Sequence, residues 1–268
     1  MLKRAITGGI FVAILVLAIV FGELYFHILF GLIATVSLHE FYNLFPSKRI
    51  SPNTGFGLLI GVLLYIIGSW TISYSYSPKY FVSILLLCFP LLAFAELYRK
   101  HKAPFQNIGI TILGWIYIVF PLILLHLLIW DYNAEGWTNY LPVLTLFILV
   151  WTSDTFAYLV GKNFGKHKLF PRISPNKSWE GFLGGLFFAA VVGYIIALIT
   201  EQSFGLYIGL GVLIASVGTV GDLVESMLKR SLGIKDSGTI LPGHGGMLDR
   251  IDAVLYVIPV VYLYLMMW

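Results

Sequence analysis

Four stretches of this 268-residue chain break an otherwise apolar pattern, and each supplies acids, lysines or glycines. The first is Trp151-Thr-Ser-Asp-Thr-Phe-Ala-Tyr158, where Asp154 interrupts a hydrophobic run. A carboxylate there is costly without a partner, which points to function over simple packing. The second runs from Gly161 through Lys166 and Lys168 to Ile173-Ser-Pro-Asn-Lys-Ser-Trp-Glu-Gly181, and includes Lys177 and Ser178. Glycines let a backbone approach a ligand, and lysines supply charge for phosphate. Ser174 followed by Pro175 suits an N-cap and first helical position, so a helix start is expected there, with free N–H groups for an anion. By itself this signal is weak, because basic glycine-containing loops are common at membranes.

The third stretch is Gly221-Asp-Leu-Val-Glu-Ser-Met-Leu-Lys-Arg230. On a helix Asp222, Glu225 and Lys229 fall at i, i+3 and i+7, placing two acids and a base on one face. A salt-bridged helix end is the bland alternative. The fourth runs from Lys235 through Pro-Gly-His-Gly-Gly to Asp252. Asp249 and Asp252 stand at i and i+3, so they share a face in the first turns of a helix. Carboxylates this close repel one another unless a cation lies between them. The oxygen-rich set Asp154, Asp222, Asp249 and Asp252 suits magnesium, which takes one or two carboxylates plus substrate phosphates. His244 lies among glycines, where no apolar packing role accounts for it.

The elements that must position these residues follow from composition. Hydrophobic residues make up 59% of the chain, charged residues only 11%, and the mean hydropathy is +0.88. That leaves too few polar side chains to clothe a water-facing globule, so the bilayer must act as part of the solvent. A spanning helix needs roughly 20 mostly apolar residues. Nine stretches qualify: about 5–22, 26–45, 55–73, 80–97, 107–130, 140–160, 181–200, 204–225 and 251–268. The second is the weakest, because it contains His39 and Glu40. The first follows Met-Leu-Lys-Arg with no small-residue cleavage site after it, and reads as a retained helix. The only cysteine, Cys88, lies in an apolar run, which excludes an intrachain disulfide and cysteine-based zinc sites. The expected architecture is an all-α polytopic membrane protein. Residues 1–135 hold about five N-terminal helices, and residues 136–268 hold the catalytic helices with two long loops.

Charge orients the bundle. With a cytoplasmic N-terminus, Lys3, Arg4, Lys48, Arg49, Arg99, Lys100 and Lys102 lie inside. The long sixth-to-seventh connection adds Lys162, Lys166, Lys168, Arg172 and Lys177, and the eighth-to-ninth adds Lys229, Arg230, Lys235 and Arg250. Sixteen of the 17 basic residues are then inside, with Lys79 alone outside. Such a bias supports this orientation. Glu23, Asp131, Glu135 and Glu201 fall outside. The formal charge of +4 is therefore gathered at a cytoplasmic face suited to lipid headgroups and nucleotide phosphates. All four chemistry-bearing stretches lie on that side.

The 27 residues from Ser226 to Asp252 resemble the signature of the phosphatidate cytidylyltransferases (CDP-diacylglycerol synthases). That signature reads Ser-x-hydrophobic-Lys-Arg, then Lys-Asp, then His-Gly-Gly-hydrophobic-x-Asp-Arg-hydrophobic-Asp, and every fixed position is present at the same spacing. The Ser-Asp-Thr-Phe-Ala-Tyr and Ser-Pro-x-Lys-Ser-x-Glu-Gly segments are similar too, except that Asn176 stands where the family has a second lysine. The resemblance covers roughly the last 120 residues; the first five spans match only as generic membrane helices.

The resemblance implies that CTP and phosphatidate give CDP-diacylglycerol and pyrophosphate with divalent metal. It implies one or two magnesium ions at Asp222 and Asp249, with Asp154 and Asp252 completing the acidic cluster or orienting its ligands. Lys229, Arg230 and Lys235 would neutralise phosphates. His244, Gly245 and Gly246 would line the nucleotide pocket. Lys166, Lys177, Ser178 and Arg250 join the substrate-binding set. The implied setting is the inner (plasma) membrane, crossed many times. The partners are CTP, phosphatidate and the bilayer, with a homodimer compatible and nucleic acid not expected. Two rival readings are a CTP-dependent polyprenol kinase and, from another class, a transporter. The length of the signature match disfavours the first. Against the second, the acids gather at one face and no repeat is evident. Walker A, Gly-x-Gly-x-x-Gly and the His-x-Gly-His motif of soluble cytidylyltransferases are all absent.

Overall fold

The computed structural model describes residues 2–45, 50–130, 140–238, 240 and 245–268. Lys48, Arg49, His244 and the 131–139 connection lie outside the described residues. The described chain is almost wholly helical. In order it forms α1 (Leu2–Val20), α2 (Glu23–Asn43), α3 (Thr54–Ser73), α4 (Lys79–Arg99) and α5 (Pro104–Gly114). A π-helical turn (Trp115–Val119) joins α5 to α6 (Phe120–Trp130). Then come α7 (Leu141–Phe164), a hairpin of β1 (Lys168–Phe170) and β2 (Ser174–Ser178), α8 (Trp179–Thr200), α9 (Phe204–Ser231) and α10 (Leu248–Leu265). Among the described residues seven helices are long and apolar enough to cross a membrane, the α5–α6 pair counting as one.

The chain divides into two compact units. The first is Met1–Glu135 with Asp236–Arg250, and the second is Gly136–Lys235 with Ile251–Trp268. The loop carrying most of the family signature thus folds onto the N-terminal helices.

In the first unit α2 supplies the largest share of the core, with Phe26, Phe30, Ile33, Leu38 and Phe41 essentially inaccessible. Glycines let α3 and α5 come close to it. A Cβ at Gly57 would meet the Tyr42 ring at 2.6 Å, and one at Gly114 would meet the same ring at 2.7 Å. Tyr42 and Trp115 are buried aromatics with polar tips, and each tip finds a carbonyl. Tyr42 donates to Thr111 O at 2.7 Å, and Trp115 Nε1 donates to Gly57 O at 2.8 Å.

In the second unit α8 packs through a stripe of small residues. Gly181, Gly185, Ala189, Gly193 and Ala197 recur at every fourth position, and all are buried. Helices in lipid lack a hydrophobic drive toward each other, so close backbone approach is the usual device. A Cβ at Gly185 would stand 2.7 Å from Ser153 O on α7. On α9, Gly211 lies against the Ala189 carbonyl. Leu183, Phe187 and Ile199 cover the opposite, exposed side of α8. Gly218 and Gly221 in turn let α10 lie against α9, with a Cβ at Gly221 falling 3.0 Å from Tyr256 Cβ.

The expected helix start at Ser174–Pro175 is not what forms. Ser174–Ser178 is a strand paired antiparallel with Lys168–Phe170, and the helix begins at Trp179. Proline is tolerated in an edge strand, and a two-stranded hairpin is all edge. Ser178 caps the helix instead, its Oγ accepting from Gly181 N at 3.1 Å.

Candidate active site

The second unit gathers acids and lysines around Asp222. This residue lies on α9, nine positions before the helix ends at Ser231. Lys177, from β2, places its Nζ 2.6 Å from Asp222 Oδ2. Ser226, one turn on, donates to Asp222 Oδ1 at 3.2 Å. Asp154 of α7 lies within electrostatic range of both Asp222 and Lys177. Asp252, in the early turns of α10, lies within range of Asp222, Glu225 and Lys229. Glu225 is 1% exposed and forms an ion pair with Lys229 one turn further on. The expected face of α9, with Asp222, Glu225 and Lys229 in register, is therefore present.

Four carboxylic acids and two lysines make this cluster, so the acids outnumber the bases. Like charges held this close favour a cation between them. Among the described residues no three His, Cys, Asp or Glu side chains converge tightly enough to chelate an ion on their own. Magnesium does not demand that: it keeps water and takes one or two carboxylates, the rest coming from substrate phosphate. The Asp222 neighbourhood fits such an ion by donor chemistry.

The hairpin that carries Lys177 is braced by Glu180. Its carboxylate accepts from Lys166 N at 3.1 Å and from His167 N at 3.2 Å, and meets His167 Nδ1 at 2.6 Å. Glu180 is a functional residue outside the expected set, and an acid in the first turn of a helix is the local signal for it. Lys166 itself is exposed, and Ser178 is buried in its capping bond. Arg230 is exposed and donates to Ile234 O at 3.0 Å, closing the end of α9. Lys235 is exposed.

In the first unit the 236–250 stretch is organised by Asp249, in the first turn of α10. Asp249 Oδ2 accepts from Gly246 N at 2.8 Å, and both its oxygens lie 3.1 Å from Ser237 N. Gly245 has φ +83°, and a Cβ there would fall 2.6 Å from Asp249 Oδ2, so glycine is needed twice over. Gly246 is buried and Arg250 exposed. Asp249 thus holds two limbs of its own loop through backbone N–H groups, a function that spacing alone did not reveal.

A nearly all-helical chain, with seven described helices long and apolar enough to cross a membrane and with acids and lysines gathered among α7, α9, α10 and the hairpin, has the makings of an enzyme that handles phosphate-bearing, membrane-borne substrates. The model of the cytidylyltransferase family matches residues 2–268, and the chain belongs to that family. It is 34% identical over 261 residues to the phosphatidate cytidylyltransferase of Staphylococcus aureus (strain COL), covering 96% of this chain and 95% of that protein. It is 36% identical over 267 residues to the phosphatidate cytidylyltransferase of Bacillus subtilis (strain 168), covering 98% and 96%. The kinship therefore includes the first five helices, beyond the C-terminal part that carries the motifs.

Proposed function

We propose that the protein transfers the cytidylyl group of CTP to phosphatidate, giving CDP-diacylglycerol and pyrophosphate, at the cytoplasmic face of the plasma membrane. The observation that carries this reading is Asp222, set among Asp154, Asp252 and Lys177, in a chain related over nearly its full length to phosphatidate cytidylyltransferases. A phosphate oxygen of phosphatidate forms the new bond to the α-phosphorus of CTP. The bond from that phosphorus to the bridging oxygen of the β-phosphate breaks, and its electron pair leaves with pyrophosphate. No covalent enzyme intermediate is required, so catalysis is positioning and neutralisation of charge.

Lys177 and Lys229 stand ready beside the acids to meet phosphate oxygens. Arg230, Lys235 and Lys166, all exposed, extend the positive surface for the triphosphate. His244, Gly245, Gly246 and Arg250 are assigned to nucleotide binding by the family signature they form part of. Asp222 with Asp154, and Asp249 in its loop, are the carboxylates assigned to one or two magnesium ions, which would neutralise the triphosphate and stabilise departing pyrophosphate. The proposed topology has nine spans, the N-terminus inside, with α1 and α10 added to the seven long helices. Purified protein with CTP, magnesium and phosphatidate tests the reaction. A lipid product heavier by CMP supports it, whereas transfer of a single phosphate to a lipid alcohol would identify a kinase.

A further inference from the structure

Glu40 is an anomaly in α2. It is the one buried carboxylate of a helix whose other buried residues are mostly aromatic and aliphatic, with His27 and Ser37 beside them, and it is only 3% exposed. A buried carboxylate is costly unless donors satisfy it. Its donors come from about 200 residues away. Leu248 N, at the start of α10, donates to Glu40 Oε2 at 2.8 Å, and Ser237 Oγ lies 3.5 Å from the same oxygen. Leu248 carries one of the N–H groups that the start of a helix leaves without an intrahelical partner. An anion there also meets the positive end of the helix dipole.

The loop is shaped to receive this carboxylate. A Cβ at Gly238 would fall 2.5 Å from Glu40 Oε1, and one at Gly246 would fall 2.5 Å from Glu40 Oε2. Both limbs of the loop therefore press their bare backbones against one side chain. The second oxygen, Oε1, is buried and accepts no hydrogen bond from the described residues. A carboxylate used only to cap a helix has no need of two glycines packed against it.

We infer that Glu40 is a positioning residue for cytidylyl transfer, acting from α2 by pinning the Ser237 and Leu248 limbs of the signature loop. It fixes the span between the two limbs, and with it the presentation of Asp249 and Gly246. Asp249 holds the same limbs from inside the loop; Glu40 holds them from outside. The inference rests on the proposed reaction, and its test includes a readout independent of turnover.

That test uses the full-length protein in detergent, with CTP varied at saturating phosphatidate and magnesium, and with thermal unfolding measured alongside. Glu40→Gln keeps an acceptor oxygen for the Leu248 amide and should stay within about threefold of the parent in kcat/KM for CTP. Glu40→Ala removes the acceptor and should lose about tenfold or more, at a temperature where it is fully folded, with KM for phosphatidate unchanged. Glu40→Asp, which withdraws the carboxylate by one methylene, is read in the same way if Glu40→Ala does not fold. Amide hydrogen exchange at Ser237 and Leu248 should quicken in Glu40→Ala or Glu40→Asp and not in Glu40→Gln. Parent protein inactive with CTP and phosphatidate would defeat the reaction, while the exchange pattern would still judge the tether. Normal kcat and KM for CTP in folded Glu40→Ala, or in Glu40→Asp where that variant replaces it, would reduce Glu40 to a stabiliser of the bundle and overturn the inference. Equal losses in Glu40→Gln and Glu40→Ala would also overturn it, since they would show a charge acting on substrate.

Discussion

Lys177 Nζ lies 2.6 Å from Asp222 Oδ2, so a hairpin lysine rests on the carboxylate of a membrane helix 45 positions further along the chain. Both side chains are partly open, at 26% and 37% exposure. An exposed ion pair of this kind contributes at most about 1 kcal/mol to stability. Lys177→Ala should therefore unfold near the parent temperature yet lose about tenfold or more in turnover, since its charge serves phosphate. Thermal unfolding and initial rates, measured on the same preparation, check both halves. A large loss of stability with full activity would make the pair structural.

Asp249→Asn separates a loop anchor from a metal ligand. Both carboxylate oxygens face backbone N–H groups of Ser237 or Gly246, and the new amide NH2 would face one of those donors. That should cost about 1–3 kcal/mol, seen as a lower unfolding temperature. Turnover at saturating magnesium should fall by about a hundredfold or more if the charge holds an ion. Near-normal turnover in folded protein would move the ion elsewhere, and Asp222→Asn would then be the variant to carry the loss. Asp236→Asn, in an exposed loop position, should be milder than either.

Chelation should abolish activity, and magnesium should restore it. The cluster around Asp222 holds more acids than lysines, and CTP brings further negative charge. Full turnover in EDTA would remove the metal from the mechanism.

Gly185→Val is a test of how the second unit is built. A Cβ there would stand 2.7 Å from Ser153 O, so α7 and α8 would have to part. Overpacking of this kind costs about 1–3 kcal/mol, and the unfolding temperature in detergent should fall accordingly. An unchanged unfolding temperature would mean that the two helices are not in register as described.

Orientation can be read with introduced cysteines, because Cys88 is the only native one and is buried. Cysteines at 166 or 236 should resist an impermeant reagent added to intact cells, and one within 131–139 should react. Labelling at 166 from outside would invert the topology.

Much of this site was legible in spacing, because a helix turns a local pattern into a shared face. Asp222, Glu225 and Lys229 needed only the helical repeat to be placed together, and α9 indeed runs on to Ser231. Contacts made across the fold were not legible. Ser174 and Pro175 carry the same local chemistry whether they open a helix or line a hairpin edge, and pairing with Lys168–Phe170 decided it. Glu40 registered only as a blemish in a membrane span, since its donors come from the far end of the chain. The i, i+3 relation of Asp249 and Asp252 was correct as helix geometry. It did not disclose that Asp249 is engaged by its own loop while Asp252 answers to α9.

The small-residue stripe on α8 has a consequence for how such a protein can change over time. Its protein-facing side is built on Gly and Ala, with Phe188 stacked on Phe156 of α7 and Tyr194 on Phe204 of α9, while Leu183, Phe187 and Ile199 are exposed on the other side. Whatever suits those outward residues to a thicker, thinner or more fluid bilayer leaves the α7–α8–α9 spacing untouched. Adaptation to a host's lipids and preservation of the helix packing are written on opposite sides of one helix, so each can proceed without consulting the other.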